Sequence, residues 1–289
     1  MIPLNKHSWQ GFTLIELSIV LVIIGLITGA ILVGRDLINA AAIRSTVSQI
    51  EKYNSAVNTF RGKYGYLPGD IPADQASAYG FAVRSGLLGE GDGDGLLEDG
   101  TNGGATVCGE TSVFWNDLST ANLIEGNFIG PSNARASCLN TLPATTPTDT
   151  IIPPTKLGNS THIIVFNDDS NPGANCTLCT NYNYFEIIGA PSGPLSTSFT
   201  NFNGIPTPVS LALTPQQAYS IDTKIDDGYP TTGRVISRDS LITGKDAPGL
   251  GAVANPPVSG TCGDSSATPT AYNLKFGDTQ ACAISIQFN

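Results

Sequence analysis

From Phe12 to Val33 the chain offers a single ionisable side chain, Glu16, in a run dominated by Leu, Ile and Val. About 20 such residues wound into a helix cross roughly 30 Å of hydrocarbon, so the run is long enough to span a membrane. A secretory signal peptide would instead carry an apolar core of about 7 to 15 residues and then a small-residue cleavage site. Here the apolar run is too long and no such site follows it. Past Gly34 the apolar positions Ile43, Val47, Ile50, Val57, Phe60 and Tyr64 recur three, four or seven apart, which marks one face of an amphipathic helix. The helix is therefore expected to continue out of the membrane and to end between Gly62 and Pro68, a rod of about 50 residues and roughly 75 Å.

The 289 residues suffice for a membrane segment plus one large domain or two small ones. Beyond the helix, 32 glycines, 19 prolines and stretches rich in Ser, Thr and Asn separate short apolar runs. That pattern predicts an α+β domain with many loops and few long helices. One helix is expected over Thr111–Leu123, with Phe114, Trp115, Leu118 and either Ala121 or Asn122 near its buried side. Short strands are expected at His162–Phe166, Tyr184–Ile188, Val209–Leu213, Tyr272–Phe276 and Ala283–Phe288, each rich in β-branched or aromatic residues. Residues 141–156, 190–208 and 246–262 read as surface loops.

A formal net charge of −10 with only 13% charged residues argues against tight non-specific nucleic-acid binding, which needs clustered Lys and Arg. It suits an extracytoplasmic protein. Six cysteines, Cys108, Cys138, Cys176, Cys179, Cys262 and Cys282, all follow the apolar run, as expected of disulfides in an oxidising compartment. Nearness in sequence favours Cys108 with Cys138, Cys176 with Cys179 and Cys262 with Cys282, from about 15 possible pairings.

A carboxylate inside a spanning helix costs a few kcal/mol on insertion scales and is a functional candidate by default, although so near the end of the run Glu16 could simply snorkel to the interface. Its neighbours favour a function. Gly11-Phe12-Thr13-Leu14-Ile15-Glu16, with a short polar leader before it and an apolar helix after it, resembles the type IV prepilin signature shared by pilins and type II secretion pseudopilins. The resemblance implies cleavage by prepilin peptidase after Gly11, N-methylation of Phe12 as the new first residue, and pairing of Glu16 with the N-terminal amine of a neighbouring subunit. An unpaired charge in an apolar fibre core is costly, so such a pair would make register part of assembly.

The resemblance further implies a leader at 1–11, a transmembrane helix at 12–34, its amphipathic continuation at 35–66 and a periplasmic or extracellular α+β domain at 67–289. In that pilin-like fold the long helix packs on an antiparallel sheet, here with long disulfide-bearing loops. Lys6 in the leader fits a cytoplasmic start, although Arg35 and Arg44 follow the segment and leave the charge rule undecided. Many pilins carry a kinking proline near the position of Val33, and this chain has none there. Gly25, Gly29 and Gly34 could supply flexibility instead, or let helices approach closely.

Three further segments invite a chemical reading. Glu90-Gly-Asp92-Gly-Asp94-Gly95-Leu96-Leu97-Glu98 looks like part of an EF-hand loop, with oxygen ligands at Glu90, Asp92, Asp94, the Leu96 carbonyl and Glu98. Thr101 stands where the bidentate Glu would be, so two readings remain open, a Ca2+ site and a flexible acidic loop. Thr214-Pro215-Gln216-Gln217 reads as a capping box opening a helix that Gly228 can close, with Ala218, Ile221 and Ile225 inward. Asp226 and Asp227 then sit at the unfavourable end of the helix dipole, and Arg234 is the plain candidate to compensate them, a second cation site the alternative. Residues 221–235 also look like a segment recurring in larger prepilin-like proteins.

Cys176-Thr-Leu-Cys179 has CxxC spacing, but it lacks a second ligand pair for zinc and the strand-to-helix setting of a redox site, so a local disulfide is the expectation. His7 and His162 form no catalytic constellation with the rest, and the chain has no GxSxG or nucleotide loop, so no enzyme is expected. The expected role is a structural subunit of a type IV pilus or a type II secretion pseudopilus. The alternative is a minor tip pilin acting as a binding or adhesion module. Expected partners are other pilin or pseudopilin subunits, prepilin peptidase and an inner-membrane assembly platform, with no nucleic acid. The expected place is the bacterial inner membrane, crossed once, with the bulk of the chain periplasmic or in an extracellular fibre.

Overall fold

The computed structural model describes residues 13–84, 91–97, 109–130, 146–158, 160–167, 182–189, 211–238, 261–264, 269–276 and 279–288. By its internal contacts the chain divides into two compact units, Met1–Ala42 and Ile43–Asn289. Helix α1, Leu14–Tyr64, runs through both. In the first unit exposed apolar side chains run from Leu14 to Ile38, interrupted by Glu16, Arg35, Asp36 and a few small polar residues, and its most apolar window has mean hydropathy 2.7 with none of it buried. So long an uncovered apolar surface is foreign to a water-soluble monomer and natural in lipid.

In the second unit the same helix turns amphipathic. The expected stripe is the buried face: Ile43, Val47, Ile50, Val57 and Phe60 are buried, with Thr46, Tyr53 and Ala56 beside them and Tyr64 half-buried against the core. The helix stops at Tyr64, and Gly65 follows with a positive φ of 84°.

The sheet has four antiparallel strands in the order β1-β2-β6-β3, from β1 (Thr161–Asn167), β2 (Asn183–Gly189), β3 (Val235–Arg238) and β6 (Ala283–Phe288). Two short strands, β4 (Gly263–Asp264) and β5 (Ala271–Tyr272), pair separately. Burial is continuous along β2 rather than alternating, so both faces of the sheet are covered there. Phe185 in β2 meets Tyr53 of α1 at 6.5 Å, stacks on Phe288 of β6 at 4.1 Å, and meets Phe114 and Trp115 at 6.3 and 6.1 Å. Those last two lie on α3 (Gly109–Thr120), so a single aromatic cluster joins the amphipathic half of α1, α3 and the sheet.

Several expectations need correction. Helix α3 starts and ends earlier than Thr111–Leu123; its final turn closes at Thr120, and Asn122 leaves it at a positive φ of 57°. Of Val209–Leu213, the described part is not a strand; Leu213 forms one isolated bridge with Cys282. Only Tyr272 of Tyr272–Phe276 is in a strand, and Leu274–Phe276 is a 3-10 turn. The aromatic spacing there looks strand-like, but the Tyr272 hydroxyl is drawn inward to Asp222. Residues 146–156 hold a 3-10 turn at Thr148–Thr150, and the other two loop segments lie almost wholly outside the described residues.

The capping box of α4 (Pro215–Ile225) forms as expected: Gln217 N donates to Thr214 Oγ1 at 3.2 Å, and Thr214 N donates to Gln217 Oε1 at 3.0 Å. A short α2 (Ala73–Tyr79) completes the α-helices among the described residues. Cys262 and Cys282 are joined in a disulfide with Cα atoms 5.0 Å apart, while the other four cysteines lie outside the described residues.

Candidate functional site

Gly11 and Phe12 lie outside the described residues, which begin at Thr13. Thr13 caps α1. Its backbone N–H and its hydroxyl both donate to Glu16 Oε2 at 2.8 Å, and Glu16 N donates back to Thr13 Oγ1 at 3.3 Å. This is the reciprocal capping box of a Thr-x-x-Glu sequence. Four groups that hydrocarbon could not solvate, two backbone donors at a helix start, one hydroxyl and one carboxylate oxygen, thus satisfy one another. The Thr-x-x-Glu spacing was the available signal for Thr13, and reading the segment for Glu16 alone passes over it.

The acidic loop is held from outside itself. Gly93 N and Gly95 N donate to Asp70 Oδ1 and Oδ2 at 2.7 and 2.9 Å, Gly91 N donates to Glu110 Oε1 at 2.7 Å, and Leu97 N donates to Asn183 Oδ1 at 2.9 Å. Asp92 and Asp94 accept from the amides two residues on, Asp94 N at 3.1 Å and Leu96 N at 2.8 Å. One carboxylate oxygen from each of Asp70, Asp92 and Asp94 lies within 4.8 Å of the others. Asp70 was not among the expected ligands, because it comes from a turn 22 positions before Asp92. Glu90 and Glu98, which were, lie outside the described residues. Burial pushes the Asp70 carboxyl up to about 7, against the two glycine amides, with Asp94 and Asp92 adding to the rise.

Beneath this loop sits a buried frame. Arg84 donates through Nη2 to both oxygens of Asp117 at 2.8 and 3.0 Å and through Nη1 to the Gly69 carbonyl at 2.7 Å, while Gly69 N donates to Asp117 Oδ2 at 2.7 Å. Gly69 has a positive φ of 92°, and a Cβ there would come within 2.5 Å of the Glu110 carbonyl oxygen, so only glycine fits.

The second acidic group, at the end of α4, is met differently from the expectation. Asp226 Oδ2 accepts the backbone amides of Arg234 and Val235, and Asp227 accepts from Tyr229 N at 2.9 Å and Thr232 Oγ1 at 2.6 Å. The Arg234 guanidinium instead donates to the Gln287 carbonyl at 3.1 Å. Asp222 takes Gly228 N at 3.1 Å and the Tyr272 hydroxyl at 2.7 Å, and Tyr272 also meets Ser237 Oγ at 2.7 Å. Burial raises Asp222 to about 6, opposed by the tyrosine and the amide, and burial and Asp222 together push the Tyr272 phenol far up. Residues 221–235 thus form a corner whose three carboxylates are met by the chain's own donors. His162, buried in β1, pairs through Nε2 with Asp149 at 2.7 Å.

Residues 10–32 match the family described as the prokaryotic N-terminal methylation motif. None of the curated proteins and none of the solved structures compared with the chain matches it. The motif at the start of an apolar helix supports a type IV prepilin-like protein, and the amphipathic continuation on an antiparallel sheet with a disulfide fits an α+β, pilin-like fold. Proteins of this kind are structural rather than enzymatic, are processed by prepilin peptidase and assemble with other pilins. The apolar helix and the motif together fit a membrane-anchored chain.

Proposed function

We propose that the chain is a structural subunit of a type IV pilus or a type II secretion pseudopilus, cut after Gly11, methylated on Phe12 and polymerised through α1. The observation that carries this reading is Glu16, the lone acid in a spanning run that also bears the methylation motif. In this reading the chain crosses the bacterial inner membrane once with its bulk periplasmic, and it meets the assembly platform there before passing into a fibre. Glu16→Ala should leave cleavage intact and abolish assembly, which the mobility of the processed chain and the yield of sheared fibres would report. Fibres at normal yield from that variant would defeat the reading.

A tip role as a binding module is the second reading. It is favoured by a groove of about 650 Å³ in the second unit, lined by Ser48, Gln49, Lys52 and Tyr53 of α1 with Glu125 and Lys156 opposite. That volume is in the usual range for small-ligand pockets, about 300–1,000 Å³. Copy number separates the two roles: a tip protein is present in few copies per fibre, a major subunit in thousands.

We also propose that the 90–98 loop binds Ca2+ through Asp92, Asp94 and Asp70, with Glu90, Glu98 and the Leu96 carbonyl as its further ligands. All are hard oxygen donors of the kind calcium takes. Because the folded Asp70 holds its proton up to about pH 7, its stabilising contribution without metal is full below the ordinary carboxylate value and is lost as pH rises through 7. Calcium must displace that proton, so it should bind more tightly at pH 8 than at pH 5. At about 100 times its dissociation constant calcium would add roughly 2.7 kcal/mol, a rise in melting temperature of about 5–11 °C for a domain this size. An unchanged melt in millimolar calcium at pH 8, or an equal shift in the Asp92→Ala/Asp94→Ala double variant, would remove the site.

A further inference from the structure

We propose that Thr13 is the positioning residue for Glu16: its hydroxyl and amide hold Oε2 and leave Oε1 for the amine freed on a neighbouring subunit by cleavage after Gly11. The proposal rests on the assembly role given to Glu16 above. Both bonds that Thr13 makes to the carboxylate fall on one oxygen, and Oε1 accepts none among the described residues. A carboxylate offers about four lone-pair sites, so an ammonium can take the second oxygen without expelling Thr13.

The hydroxyl is used twice. It donates to Glu16 Oε2 and accepts from Glu16 N, so the side chain of residue 16 is tied to the cap at both its backbone and its tip. Serine keeps both functions. Valine keeps the shape and loses both. Aspartate remains a good N-cap, since it accepts from the N3 amide, but it cannot donate to a carboxylate and sets a like charge against it. Aspartate therefore separates the capping of a helix from the aiming of Glu16. Before cleavage the same bonds give the carboxylate hydrogen-bond partners within its own chain, which lowers the cost of holding its charge at the membrane in a single precursor. Two charge-assisted bonds held in advance also mean that less side-chain freedom is lost when the amine arrives.

The test compares Thr13→Ser, Thr13→Val, Thr13→Asp and Glu16→Ala in the full-length precursor, expressed in cells that carry the assembly machinery. Cleavage is read by mobility and assembly by the chain recovered in sheared fibres. We expect all four to be cleaved and Thr13→Ser to assemble normally. Thr13→Val and Thr13→Asp should lose about tenfold or more in assembly, the scale of one charge-assisted hydrogen bond. Normal assembly of Thr13→Asp would make residue 13 a helix cap only, and normal assembly of Thr13→Val would deny it any role; either overturns the proposal. If Glu16→Ala assembles as well, the underlying reading of Glu16 is what has failed, and the proposal falls with it.

Discussion

Replacing Arg84 with alanine should cost the second unit about 3–5 kcal/mol, the usual penalty for removing one partner of a buried ion pair. Asp117 is fully buried in α3, and burial pushes its carboxyl up while the Arg84 charge opposes that rise. Without Arg84 the carboxylate keeps only the Gly69 amide, and the Gly69 and Ala82 carbonyls lose their guanidinium donors. Urea unfolding of the detergent-solubilised chain, followed by tryptophan fluorescence, would measure the loss. The double variant Arg84→Met/Asp117→Leu should recover part of it, because an apolar pair leaves no buried charge behind. A single variant as stable as the parent would mean that the frame under the acidic loop carries no strain-bearing charge.

Breaking the Cys262–Cys282 disulfide should cost about 3 kcal/mol, the chain-entropy value for closing a loop of this order. Both cysteines are fully buried, and Cys282 also ties its backbone to Leu213, donating through N at 3.0 Å and accepting from Leu213 N at 3.1 Å. Cys282 is the residue before β6, so the bond fixes the point where that strand enters the sheet. The Cys262→Ala/Cys282→Ala chain should melt roughly 6–12 °C lower than the parent. Equal melting temperatures would show that the backbone bonds at Leu213 hold the strand without the covalent tie.

What could be read in advance was whatever a local rule controls. The apolar run, the Ile43-to-Tyr64 stripe and the Thr214 capping box are set by residues three or four apart, and each has its signal inside one helix. Strands β1, β2 and β6 were legible because they are central or long and carry β-branched and aromatic residues throughout. Strand β3 was not: four residues pair with β6 alone, and Arg234 beside it invited an electrostatic reading. In the acidic loop the sequence displayed Asp92 and Asp94, yet the groups that hold the loop, Asp70, Glu110 and Asn183, come from distant turns, a helix and a strand. No spacing rule reaches across such separations, so buried polar partners of this kind become visible only in three dimensions. Thr13 is the contrary case, a local pattern that was present and eclipsed by the more conspicuous Glu16.

The order of the sheet has a consequence for the order of folding. Strand β6 comes after every other described strand in the chain, yet it lies between β2 and β3 and pairs with both. The β1–β2 hairpin can form as soon as residues 161–189 have emerged, but β3 has no partner in the sheet until residues 283–288 arrive. The aromatic cluster likewise waits for Phe288 to stack on Phe185. A chain that emerges from its N-terminal end therefore remains open on one side until nearly all of it is available. Closing the sheet late, through contacts far apart in sequence, is slow and leaves apolar surface exposed meanwhile. Premature release would strand a half-built sheet with a bare β2 edge, so under the proposed inner-membrane reading a tether through α1 would double as a folding aid, keeping unfinished copies apart until the last strand slots in.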